Sequence, residues 1–153
     1  MEKALFAAGC FWGVEESFRK LDGVHKTEVG YAGGNTDNPT YESVCKGNTN
    51  HAEVVFIEYN ENEISFEKLL NHFWNCHDPT TLNRQGPDIG TQYRSAVFYF
   101  NELQKNLSIK SKSEYEKSNK LKIVTEISEA KKYYKAEEYH QKYIQKTGLY
   151  CAS

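Results

Sequence analysis

The chain has 153 residues, a formal net charge of −2 and interspersed Lys and Glu with no basic block, so it reads as one domain with a real core and not as a nucleic-acid binder. No apolar run is long enough to span a bilayer, and the Lys3-to-Cys10 stretch that imitates a lipoprotein signal is too short and runs on through Phe11-Trp12-Gly13. The expected compartment is therefore the cytosol, where Cys10, Cys45, Cys76 and Cys151 stay reduced and read as catalytic, metal-binding or inert rather than as a disulfide frame.

Taken in chain order, Lys3 to Ala8 predicts a short buried strand. Phe11 to Leu21 predicts a helix, with Val14, Phe18 and Leu21 at helical spacing and Gly23 as its stop. Val24 to Ala32 alternates like a strand, and Gly33 to Thr40 is the strongest loop signal in the chain. Ala52 to Tyr59 is a β-branched run that predicts a central strand, followed by a helix capped by Ser65 with Phe66, Leu69, Leu70, Phe73 and Trp74 on one face. Asp78 to Thr91, rich in Pro, Gly and Asn, is a second long loop. Ser95 to Phe100 predicts a strand, Asn101 caps a helix to about Ser118, Lys122 to Ile127 alternates like a strand, and Lys135 to Lys146 predicts a final helix stopped by Gly148. The order predicts a single α+β domain over 1–153: one mixed sheet, helices packed on it in two layers around a ferredoxin-like core, and a flexible tail from about residue 147. Loops this long without regular structure tend to be functional.

Cys10 stands where the first strand meets the first helix, inside Gly9-Cys10-Phe11-Trp12-Gly13. A thiol at a helix N-terminus meets unpaired N–H groups and the positive end of the macrodipole, and both favour the thiolate. The competing reading is a buried cysteine acting as a small hydrophobe. Three polar clusters accompany it: Pro39-Thr40-Tyr41-Glu42, Asn50-His51-Ala52-Glu53, and Gly86 to Ser95 with Asp88, Tyr93 and Arg94. Tyr41 reads either as a site residue or as a ring that caps a loop. Glu53 precedes Val54-Val55-Phe56-Ile57, so its carboxyl stands at the mouth of a buried strand, where it must be neutral or paired. Asp88 follows Pro87 and reads as a site acid or an Asx turn.

Those segments, with Tyr139-His140-Gln141-Lys142-Tyr143 and Tyr150-Cys151, run from end to end of the chain and resemble the peptide methionine sulfoxide reductase A family, enzymes specific for the S epimer at sulfur. The resemblance implies a reaction without cofactor or metal. A sulfoxide oxygen is a poor leaving group until protonated, so thiolate attack by Cys10 needs an acid. Glu53, at the edge of an apolar environment and expected to hold its proton near neutral pH, is that acid by resemblance. Tyr41 and Tyr93 would donate hydrogen bonds to the same oxygen, Phe11 and Trp12 would hold the S-methyl group, and Asp88 would orient the polar network or the substrate backbone. The product would be methionine with a sulfenic acid on Cys10, which Cys151 would resolve as a disulfide that thioredoxin reduces. Substrates would be methionine sulfoxide, free or in proteins, with no nucleic acid and no membrane as partner. Three departures from the family stand out: Leu149 where many members have Gly before Tyr-Cys, Asn50 in place of the glycine before His-Ala-Glu, and no second distal cysteine up to Ser153.

Cys45 is a competing resolving thiol, read here as a bystander. His72 and Cys76 lie one helical turn apart, with His77 adjacent, but no second pair completes a metal site. His51 and His140 read as packing residues. Two rival functions are a cysteine acyl transferase or hydrolase using one of these histidines as base, and a non-catalytic module that grips methionine-like side chains on Phe11 and Trp12.

Overall fold

The structure is a computed structural model, and it describes residues 1–149. Strand β1 (Glu2–Ala8) is followed by helix α1 (Phe11–Arg19), strand β2 (Val24–Ala32), the short helix α2 (Tyr41–Cys45), strand β3 (Ala52–Tyr59) and helix α3 (Phe66–Asn75). A two-residue hairpin of β4 (Arg84–Gln85) and β5 (Asp88–Ile89) leads through a 3-10 turn (Thr91–Tyr93) into β6 (Ser95–Tyr99). The long helix α4 (Glu102–Asn119), strands β7 (Glu126–Glu129) and β8 (Tyr133–Lys135), a 3-10 turn (Glu138–His140) and helix α5 (Tyr143–Thr147) complete the described chain.

Six strands form one mixed sheet in the order β7-β6-β1-β3-β2-β8, antiparallel throughout except for the parallel β6–β7 pair. Both faces of β1 are buried, which is why it reads as a continuous apolar run. Ala4, Phe6 and Ala8 point into the larger core beneath α1 and α3, while Leu5 and Ala7 join Val54, Ala96 and Phe98 in a smaller core on the opposite face. In the larger core, Phe6 stacks against Phe18, Phe66 and Phe73, with ring centroids 5.3, 5.9 and 5.1 Å apart. Helix α4 lies outside α3, joined by the Trp74 indole N–H donating to the Ser111 hydroxyl at 2.8 Å.

The α+β class, the mixed sheet and the expected caps Ser65 and Asn101 are all present. Helix α1 ends two residues before the predicted Leu21, and α2 is an addition: Thr40 and Ser43 cap each other reciprocally inside what the composition presents as loop. The expected strand over Lys122 to Ile127 is displaced. Ile123 gives its N–H to the Glu116 carboxylate and Val124 to the Pro79 carbonyl, so pairing with β6 begins only at Glu126. The expected helix over Lys135 to Lys146 is replaced by β8, a 3-10 turn and five residues of helix. Tertiary bonds outcompete the helical ladder here. Lys135 pairs with Gly30 in the sheet, the Gln141 amide clasps both the N–H and the carbonyl of Val29 at 2.8 and 2.9 Å, and Lys142 takes a left-handed φ of 54°.

Candidate active site

Gly9 has φ +100°, a conformation open mainly to glycine, and it turns the chain from β1 into α1. Cys10 is thereby the N-cap of α1, half-buried, with its carbonyl accepting from the Val14 N–H at 3.3 Å. The next amide, that of Phe11, donates to Glu53 Oε1 at 3.1 Å. Glu53 is the second residue of β3, only 2% exposed, and lies opposite Tyr31 in the β2–β3 register. The sheet and the helix thus bring the carboxyl of residue 53 to the backbone beside residue 10, across 43 positions of sequence.

Two tyrosines face this pair. Tyr41 opens α2, and its ring lies 6.4 Å from those of both Phe11 and Trp12. Tyr93 ends the 3-10 turn after the β4–β5 hairpin. Burial pushes both phenols well above their ordinary range; the charges of Cys45 and Glu53 add to this at Tyr41, and those of Glu53, Cys45, Asp88 and Cys10 at Tyr93. Both therefore remain O–H donors at neutral pH. Asp88 stands on the β5 edge of the hairpin that leads into this turn.

The rings are layered. Phe11 is 1% exposed and lies against Tyr31 and His140, whereas Trp12 is half-buried and stacks on Tyr143 with ring centroids 3.9 Å apart. The Trp12 indole N–H donates to His140 Nδ1 at 2.9 Å, and burial depresses the pKa of His140, so this ring is a neutral acceptor. Seven of the sequence candidates, Cys10, Phe11, Trp12, Tyr41, Glu53, Asp88 and Tyr93, lie at this end of the sheet; Cys151 lies outside the described residues.

Glu137 has no mark in the sequence beyond its place in an acidic pair, yet it carries the site from below. Oε1 accepts from the Tyr31 hydroxyl and Oε2 from the Tyr41 N–H, each at 2.9 Å. Burial alone would raise its pKa, but the Tyr41 amide and the Tyr31 hydroxyl outweigh burial and hold it below the ordinary carboxylate value. No sequence signal pairs Glu137 with Tyr31, because the stretch that holds Glu137 reads as helix.

The other candidates fall elsewhere. His51 is pinned by backbone: Nδ1 accepts from the Gly34 N–H at 3.0 Å and Nε2 donates to the Thr36 carbonyl at 2.7 Å. With both ring nitrogens engaged by backbone, His51 has none left to act as a base, and His140 spends its Nδ1 on the Trp12 indole. Cys45 is exposed, and its thiol is pushed up by packing and then by Glu53 and Glu137, against the lowering bond from Tyr41. Burial pushes the Cys76 thiol up to about 12, His77 bonds Phe73 and Ser95, and His72 bonds Ser17, so this trio is spent within the fold. A cavity of about 500 Å³ lined by Asp37, His51, Phe98 and Tyr134 contains none of the seven clustered residues.

Comparison with known proteins agrees along the whole chain. The family model described as "Peptide methionine sulfoxide reductase" matches residues 2–153. A relative from Clostridium botulinum (strain Loch Maree / Type A3), "Peptide methionine sulfoxide reductase MsrA", is 54% identical over 152 residues, covering 99% of this chain and 97% of its own. Among solved structures, reduced Mxr1 from Saccharomyces cerevisiae superposes with a TM-score of 0.94 at 41% identity, covering 99% of this chain and 88% of that one. The same yeast protein in complex with Trx2 gives 0.67 at 28% identity, covering 93% and 84%.

Proposed function

The chain belongs to the peptide methionine sulfoxide reductase family, and from that premise we propose that it reduces the S epimer of methionine sulfoxide, free or in proteins, through Cys10. The Cys10 sulfur attacks the sulfoxide sulfur while Glu53 gives the oxygen a proton, and Tyr41 and Tyr93 donate hydrogen bonds to that oxygen as its charge grows. Phe11 and Trp12 receive the S-methyl group, and Asp88 orients the polar surroundings. The protonated oxygen then passes from the substrate sulfur to the Cys10 sulfur; the substrate S–O bond and the transient bond between the two sulfurs both break, and methionine leaves with a sulfenic acid formed on Cys10. Cys151 then attacks the Cys10 sulfur, water departs and a disulfide forms. Thioredoxin supplies the two electrons that return both thiols, as the yeast complex with Trx2 leads one to expect. The cycle requires a reducing compartment such as the cytosol.

One observation carries this reading: the bond from the Phe11 amide to Glu53, which sets a buried carboxyl beside the helix terminus that Cys10 caps. The strand order β6-β1-β3-β2, with α1 and α3 as the two crossovers, likewise supports a ferredoxin-like reading of the core. The test is incubation with dithiothreitol and the separate S and R epimers of a blocked methionine sulfoxide. Methionine is expected from the S epimer alone; no product, or equal use of both epimers, defeats the proposal.

A further inference from the structure

A single guanidinium joins the three segments that lead to Tyr41, Glu53 and Tyr93. Arg94, 8% exposed, follows the turn that ends in Tyr93. Its Nη1 donates to the Thr91 carbonyl at 2.9 Å and the Asn50 carbonyl at 3.0 Å, its Nη2 to the Gly33 carbonyl at 3.3 Å, and its Nε to Glu126 Oε1 at 3.0 Å. Glu126 is fixed in turn, since its Oε2 accepts from the Ser128 hydroxyl at 2.7 Å. Each carbonyl belongs to a different segment of the site. Gly33 opens the loop that ends at Tyr41, Asn50 stands three residues before Glu53, and Thr91 two before Tyr93. The approach at Gly33 is close: its φ is +83°, and an added Cβ would lie 2.9 Å from Arg94 Nη2 and 2.6 Å from Phe98 Cζ.

We propose that Arg94 is a positioning residue for the reduction: it holds the donors of Tyr41, Glu53 and Tyr93 in fixed relation around the sulfoxide oxygen without touching the substrate. This rests on the function proposed above and adds to it the part that keeps the three groups together. Arginine suits the task because its rigid planar fork presents several donors at once, whereas a lysine ammonium is a point donor on a flexible stem and cannot span three loops. The proposal concerns rate more than affinity. Three hydrogen-bond partners for one oxygen act together only at correct distances, and a misplacement of about 1 Å can cost about 10²-fold.

The test uses the full chain with dithiothreitol and the blocked S-epimer sulfoxide in single-turnover experiments below the melting temperature of each variant. R94K and R94Q are expected to lose about 10- to 10²-fold in the rate constant at saturating sulfoxide, with a smaller change in the half-saturating concentration. Millimolar guanidinium, and not ammonium, is expected to restore part of the rate to R94A. Folded R94K and R94Q within about two-fold of wild type at saturation, or a loss seen only in the half-saturating concentration, overturn the proposal. If no Arg94 variant folds, G33A displaces the same contact from the other side, and its saturating rate constant decides by the same criterion. Wild-type enzyme that makes no methionine defeats the functional reading; wild-type turnover with unimpaired variants defeats only the role of Arg94.

Discussion

Glu53 is where two opposing physical effects meet. Burial at 2% exposure disfavours its charged form, while the Phe11 amide at 3.1 Å favours it. The proposed chemistry asks this carboxyl for a proton, and Glu53→Gln keeps its shape while removing that proton. The single-turnover rate of methionine formation is expected to fall about 10²- to 10⁴-fold, measured by rapid quench. A rate within a few-fold of wild type would move the acid role to Tyr41 or Tyr93, whose phenols burial keeps protonated. Glu53 was legible in the sequence because a carboxyl ahead of four apolar strand residues must be accounted for. Glu137 was not, since a glutamate among lysines on a predicted helix looks solvated until Tyr31 and Tyr41 are seen above it.

At the end of α3, element and titration are coupled. His77 Nδ1–H donates to the Phe73 carbonyl at 2.6 Å, and Nε2 lies 2.7 Å from the Ser95 hydroxyl, from which the neutral ring accepts. Burial pushes its pKa down to about 4, from 6.5 in the unfolded chain. The unfolded chain therefore binds a proton in a window where the folded one does not. Stability from this ring is whole above about pH 6.5 and is lost as pH falls toward 4, by about 3 kcal/mol in all. Urea unfolding between pH 4 and 7 should show this slope, and His77→Gln should flatten it. A residual slope should remain from His72 and His140, whose pKa values burial also lowers. An unchanged slope in the variant would refute the assignment.

For the molecule as a whole, the reaction proposed here joins the chain's two ends. The first strand delivers Cys10 to the site, and the thiol proposed to resolve it, Cys151, stands among the last residues of the sequence. Cys151→Ser should still form one methionine per enzyme but lose thioredoxin-driven cycling, read by product yield with and without thioredoxin. Undiminished cycling would assign the resolving step to Cys45, despite a thiol pKa raised by packing and by Glu53 and Glu137. The segment that leads toward Cys151 is tied to the body of the fold by the buried Glu15 carboxylate. It accepts from the Lys142 N–H at 2.7 Å and from Lys142 Nζ at 3.0 Å.

The sequence by itself determined the class of the fold, the strands β1, β3 and β6, the capped helices α3 and α4, and the residues to watch: a cysteine at a strand–helix turn, a carboxyl at a strand mouth, two tyrosines in loop-rich segments. These are local signals, since apolar periodicity, capping side chains and turn residues act within a few positions of one another. Only the tertiary structure decided that residues 135–146 form a strand, a turn and a short helix, because Gln141, Lys142 and Lys135 find better partners on β2 and α1 than along a helix of their own. It alone assigned Trp12 to His140, Tyr41 to Glu137, and Gly33, Asn50 and Thr91 to Arg94. Most of those bonds cross forty or more positions, and only the assembled fold brings their ends within reach.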